Sequence, residues 1–183
     1  MPLLPCRGKT PTLGTNCYLA PNATLIGDVT LGNDCSVWFT AVVRGDVHSI
    51  RCGDRVNIQD GAVIHATYER SPTVIGSDVS IGHRAIVHGC TLHDSVLIGM
   101  GAIVMDDAVV ESNVIIGAGA VVPAGMRCMA NSVYAGVPAR KIKELAPEQR
   151  ADTIERIAAA YLKYAGWFQE PEDSTAPTST KSE

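Results

Sequence analysis

The sequence predicts an all-β solenoid, a parallel β-helix closed by a C-terminal α-helix, on three observations. A small and a large apolar residue stand two places apart, and the pair recurs every six residues over most of the chain. Gly, Asn and Asp fall between the pairs, and near the C-terminus the apolar spacing changes to three and four. Residues flanking a single neighbour point to the same side of a strand, so each pair reads as one short strand and each six-residue unit as one wall of a coil.

The chain starts with Met1 to Gly14, a mixture of Pro, Cys, Arg and Lys without an apolar stretch, and no signal peptide is expected there. The repeat then runs through Ala23/Leu25, Val29/Leu31, Cys35/Val37 and Ala41/Val43. After a short slip at Val47–Ile50 come Ile50/Cys52, Val56/Ile58 and Ala62/Ile64. An insertion, Ala66 to Pro72, precedes Thr73/Ile75, Val79/Ile81 and Ala85/Val87. A one-residue slip leads to Cys90/Leu92 and onward to Ala120/Val122. About 100 patterned residues correspond to five to six turns, stacked at roughly 4.8 Å. Gly after the large residue, as at Gly32, Gly53, Gly76, Gly82, Gly99 and Gly117, suggests corners that need positive φ, as does Gly27 two places on. From Pro147 the residues Ile154, Ile157, Ala158, Tyr161, Leu162 and Ala165 form the stripe of an amphipathic helix, opened by Pro147 and Glu148. Its apolar side calls for cover from the prism or from a neighbouring chain. The expected organisation is therefore a β-helix over 1–140 (core about 15–130), a helical segment over 141–169, and a disordered polar tail over 170–183.

The net charge of −4 and the absence of a basic run argue against nucleic acid or an anionic membrane as partner. No apolar run approaches the roughly 20 residues of a membrane helix, so the expected location is the cytoplasm. Six cysteines include no Cys-x-x-Cys pair, and Cys35, Cys52 and Cys90 fall on core positions. They read as small buried hydrophobes, not as a disulfide framework.

Three histidines stand out by their offsets within the repeat. His65 and His88 each directly follow a large core residue, Ile64 and Val87, whereas His83 comes two places after Ile81. If Ala66–Pro72 loops out, Ile64, Ile75, Ile81 and Val87 occupy successive faces, and His65 and His88 stack on adjacent turns of one face. His83 then leaves from the preceding face and points toward a neighbouring chain. The same counting puts Arg44 in the His65 column one turn earlier and Gln59 on the face that later carries His83. Three neutral imidazoles suit Zn²⁺ in a catalytic role, because a fourth position stays open; Fe²⁺ and Co²⁺ accept the same ligands. His48 and His93 lack this register.

The hexapeptide pattern over about residues 15 to 140 resembles the left-handed β-helix family, which implies three hexapeptides per turn and a homotrimer. Arg44-Gly45-Asp46, Asn57-Ile58-Gln59-Asp60-Gly61, His65, Gly82-His83 and Val87-His88-Gly89-Cys90 resemble the γ-class carbonic anhydrases. That resemblance implies reversible hydration of carbon dioxide to bicarbonate at a trimer interface. It implies that His65 and His88 bind the metal from one subunit and His83 from the next. It further implies an interface ion pair of Arg44 and Asp46, a Gln59 that orients the attacking water, and Asn57 and Asp60 lining the site. Tyr161 matches a tyrosine reaching the site from the terminal helix. The chain departs from the prototype where proton transfer is concerned: Val47 replaces a glutamate, and Glu69 is the only acid of a short loop. The alternatives are a hexapeptide-repeat acyltransferase, a metal-dependent thioesterase acting on coenzyme A thioesters, and a non-catalytic metal-binding protein. Tyr134-Ala135-Gly136-Val137-Pro138-Ala139-Arg140 is shared by the enzyme groups and does not separate them.

Overall fold

The computed structural model describes residues 3–169, and in them the six-residue rhythm winds into a left-handed parallel β-helix followed by one helical segment. The tail expected to be disordered, 170–183, lies outside the described residues. Three walls enclose a core in which the small–large pairs face inward. Leu25, Val43, Ile64, Val87, Val104 and Val122 are all completely buried in one column.

The first wall, here called the histidine wall, stacks Leu25 on Val43, Ile64, Val87, Val104 and Val122 in parallel register. The second stacks Tyr18–Leu19, Ser36–Val37, Asn57–Ile58, Ser80–Ile81, Leu97–Ile98, Val114–Ile116 and Ser132–Ala135, seven parallel strands. The prism therefore has about seven turns, not five to six. The additional coils lie at the ends, where the inward places belong to Cys17 and Leu19 or to Met126 and Cys128, a pattern less regular than small–large.

Register partners report the length of each coil. Leu25 and Val43 are 18 residues apart, Val43 and Ile64 21, Ile64 and Val87 23, Val87 and Val104 17, and Val104 and Val122 18. The long coils contain the Val47–Ile50 slip and the Ala66–Pro72 insertion, and the short one the slip before Cys90.

The corner glycines differ from expectation. Gly32, Gly53, Gly76, Gly82, Gly99 and Gly117 have ordinary φ; only Gly27, with φ of +73°, uses the left-handed region. A Cβ on any of the first five would stand 2.5–2.9 Å from backbone of the next coil. Close approach is the reason for glycine there. The left-handed corners fall instead on residues such as Asp34, Arg55, Asp78 and Arg84, at φ of 54–58°.

All six cysteines are free, and Cys35, Cys52, Cys90 and Cys128 are buried. After the last coil, Arg140–Glu144 pairs antiparallel with Ser132–Ala135, a strand the repeat pattern does not announce. The helical segment opens with Pro147–Arg150, passes through a π turn at Ala151–Glu155 and continues as Arg156–Gln169. It lies along its own prism. Ile154 packs with Val133, Leu145, Leu97 and Ile115, and Tyr161 meets Trp38 edge-on at 5.3 Å. Leu162, one residue and about 100° around the helix from Tyr161, is 40% exposed and falls off the buried line.

Candidate metal centre

The register brings the predicted residues into two groups on two edges of the histidine wall. At the edge where the chain leaves this wall, His65 and His88 are direct partners in adjacent coils. His65 Nδ1 and His88 Nε2 lie 3.1 Å apart. Asp46 Oδ1 lies 3.0 Å from His65 Nε2, and its other oxygen accepts from Arg44 Nη1 at 2.6 Å. At the opposite edge, where the chain enters the wall, Asp60 Oδ2 lies 2.8 Å from His83 Nδ1, and Tyr161 Oη lies 3.4 Å from His83 Nε2. Gln59 precedes Asp60 there and donates from Nε2 to Asn57 Oδ1 at 3.0 Å. Asn57 donates in turn to Ser80 Oγ at 2.7 Å. Gln59 and Asn57 are both buried, so Asn57 supports Gln59 without facing open space. The structure thus joins Arg44, Asp46, His65 and His88, joins Asn57 with Gln59 and Asp60 with His83 and Tyr161, and keeps the two edges apart within one chain. Among the described residues of a single chain, no group of three or more His, Cys, Asp or Glu residues is arranged to hold a metal ion.

Sequence reasoning missed Asp106. Its Oδ1 lies 2.6 Å from His88 Nδ1. The available signal was the column itself: Val104 stacks on Val87, so Met105 follows His88 in the column and Asp106 comes directly after. Each of the three histidines consequently has one ring nitrogen occupied by a carboxylate: Asp46 for His65, Asp60 for His83, Asp106 for His88. A carboxylate takes the N–H, so the opposite nitrogen presents its lone pair. For His65 and His88 those opposite nitrogens are the two that face each other.

This donor set fits a metal ion. Zn–N bonds of about 2.0–2.1 Å in a tetrahedron separate two ligand nitrogens by about 3.3–3.4 Å, close to the 3.1 Å found. Local electrostatics agree. Desolvation lowers the pKa of His65 most, and the guanidinium of Arg44 adds to it against the opposing hydrogen bond to Asp46, so the neutral, ligating form is favoured. Burial alone would raise the Asp46 carboxyl, but hydrogen bonds from Arg44 and His65 and the Arg44 charge outweigh it and hold it below its ordinary value. Burial, reinforced by Asp60, pushes the Tyr161 phenol up to about 12, so it stays protonated as a donor. His48 accepts from the Ser49 amide through Nδ1 at 2.8 Å and belongs to neither edge group.

Residues 89–124 match the family model Bacterial transferase hexapeptide (six repeats). The chain is 40% identical over 86% of its length to gamma carbonic anhydrase 1, mitochondrial, of Arabidopsis thaliana, and spans 58% of that relative. It is 34% identical to the carbonic anhydrase of Geobacillus kaustophilus, with 91% of each chain covered. A crystal structure of a hexapeptide transferase family protein from Anaplasma phagocytophilum superposes with a TM-score of 0.86 at 36% identity, over 91% of this chain and 97% of that one. The fold, the histidine register and near-full-length identity of this order together make the chain a member of the γ-class carbonic anhydrase family.

Proposed function

We propose that the chain is a zinc-dependent carbonic anhydrase whose centre forms between subunits of a homotrimer, His65 and His88 coming from one chain and His83 from the next. The observation that carries this is the division of ligands. Two lone-pair nitrogens converge on one edge of the histidine wall, and the third histidine stands on the other edge, which its own pair cannot reach.

The wall between those edges supports the assembly. Its outward residues Val42, Val63, Ile86, Ile103 and Val121 lie in unbroken register, an aliphatic stripe five coils long with Val63 and Ile86 exposed. Covering such a stripe is the usual reason for one. A second copy docked along it would bring a His83 edge to a His65–His88 edge, and three such contacts close a ring.

In carbonic anhydrases generally, zinc lowers the pKa of bound water from far above neutrality to about 7, a property of the class and not of this chain alone. Gln59 would orient the attacking oxygen through an amide that does not titrate. Arg44, permanently charged and braced by Asp46, would favour bicarbonate. Asp60 would fix the His83 tautomer, and Tyr161, which faces the Nε2 lone pair in the single chain, would give that lone pair up to the metal and stay beside the site, with Asn57 steadying Gln59. Fe²⁺ or Co²⁺ could occupy the same ligands. The cytoplasmic location expected from the sequence belongs to this reading, and cell fractionation tests it.

Elemental analysis of anaerobically purified protein should return one ion per chain, and stopped-flow mixing should show carbon dioxide hydration that His88→Ala abolishes. A full metal complement without hydration would transfer the case to thioester hydrolysis or acyl transfer, for which the hexapeptide transferase relationship provides the grounds.

A further inference from the structure

We infer that Asp106 is the positioning residue that commits His88 to ligate through Nε2, held in place by Thr67 and admitted by Gly89. The inference rests on reading His88 as a metal ligand. The Asp106 carboxylate uses both oxygens on different donors: Oδ1 faces His88 Nδ1 at 2.6 Å, and Oδ2 accepts from Thr67 Oγ1 at 3.0 Å. It cannot rotate without losing one of them. With the proton held on Nδ1, the lone pair of His88 lies on Nε2, the nitrogen that faces His65. Gly89 adds a second constraint, on the space around the carboxylate. Its φ is +55°, and a Cβ there would lie 2.1 Å from Asp106 Oδ1, so any side chain at 89 would occupy the space the carboxylate needs.

Thr67 belongs to the Ala66–Pro72 insertion, and the rest of that loop is tied to the neighbouring Asp107. Ser71 Oγ donates to Asp107 Oδ1 at 2.6 Å, and Arg70 reaches Oδ2 at 3.1 Å. The two aspartates therefore differ in one respect. Both anchor the loop, but only Asp106 also touches a histidine. Asp107 is the internal control for loop anchoring.

The test uses the full chain with Asp106→Ala, Asp106→Asn and Asp107→Ala. Zinc affinity is measured by competition with a chromophoric chelator, and the His88 tautomer by long-range ¹H–¹⁵N NMR of the metal-free protein. Asp106→Ala should weaken zinc binding about 10–100-fold and populate the tautomer protonated on Nε2. Asp106→Asn keeps an acceptor for the Nδ1 proton and should fall between it and the parent. Asp107→Ala should leave the tautomer unchanged and affinity within about threefold, since it acts only through the loop. Parental affinity and tautomer in Asp106→Ala, or equal losses in both alanine variants, would overturn the inference. If the parent itself binds no zinc, the ligand reading fails, while the tautomer comparison still decides the role of Asp106.

Discussion

The coils that span Val42 to His88 and those that follow Cys90 are built from the same small–large pairs, yet they differ in almost everything else. Above Cys90 the register spacing is a uniform 18 residues, and the outward residues of the strands are largely aliphatic. Below it the spacing runs to 21 and 23, and the extra residues bring Asp46, Thr67 and the anchors of the insertion to the histidine edge. Periodicity makes a prism; departures from periodicity make a site. The regular coils contribute one carboxylate to the imidazoles, Asp106 beside His88, while Asp46 and Thr67 come from the coils whose spacing departs from 18.

The largest effect that separates these regions is expected from His88→Ala. Loss of one of the pair should reduce metal content from one ion per chain to under about a tenth, with the fold intact because His88 is part-exposed and outside the core. Elemental analysis with circular dichroism checks both halves of the statement. The reverse is expected from Ile98→Ala in the regular coils. Ile98 is completely buried, and truncation should cost about 2–5 kcal/mol in denaturant titration while metal stoichiometry stays unchanged. If Ile98→Ala lost metal at full folding, the two regions would not be separable.

A smaller effect concerns pH. Protons compete with metal for imidazole, so metal is lost as pH falls. Because His65 is depressed below its ordinary 6.5, its neutral form persists further into acid, and the midpoint of metal release should lie below 6.5. A midpoint above that value would contradict the local electrostatics. The smallest change is expected from Tyr161→Phe. At 3.4 Å its contact with His83 is long, and hydration should fall by about threefold or less.

Much of this was legible in the residues. The core pairs, the insertion, the slips and the column of Arg44, His65 and His88 follow from counting in sixes, since burial forces every strand into one register. Beyond the end coils and the Arg140–Glu144 strand, other features were not legible. The role of the corner glycines depends on how closely one coil approaches the next, a distance no single unit encodes. Asp106 lies 18 residues from the histidine it touches, and its neighbour Asp107 has the same composition signal without the contact. The burial of Asn57 depends on side-chain packing that the hexapeptide pattern does not describe.

Subunit mixing tests the shared centre most directly. His83→Ala and His88→Ala each remove every site when expressed alone. When the two are unfolded together and reassembled, an interface that receives its pair from a His83→Ala chain and its third histidine from a His88→Ala chain is whole again. Random trimers should then recover about one quarter of the parental metal and hydration activity. Recovery of neither would place the three histidines in a single chain and contradict the account.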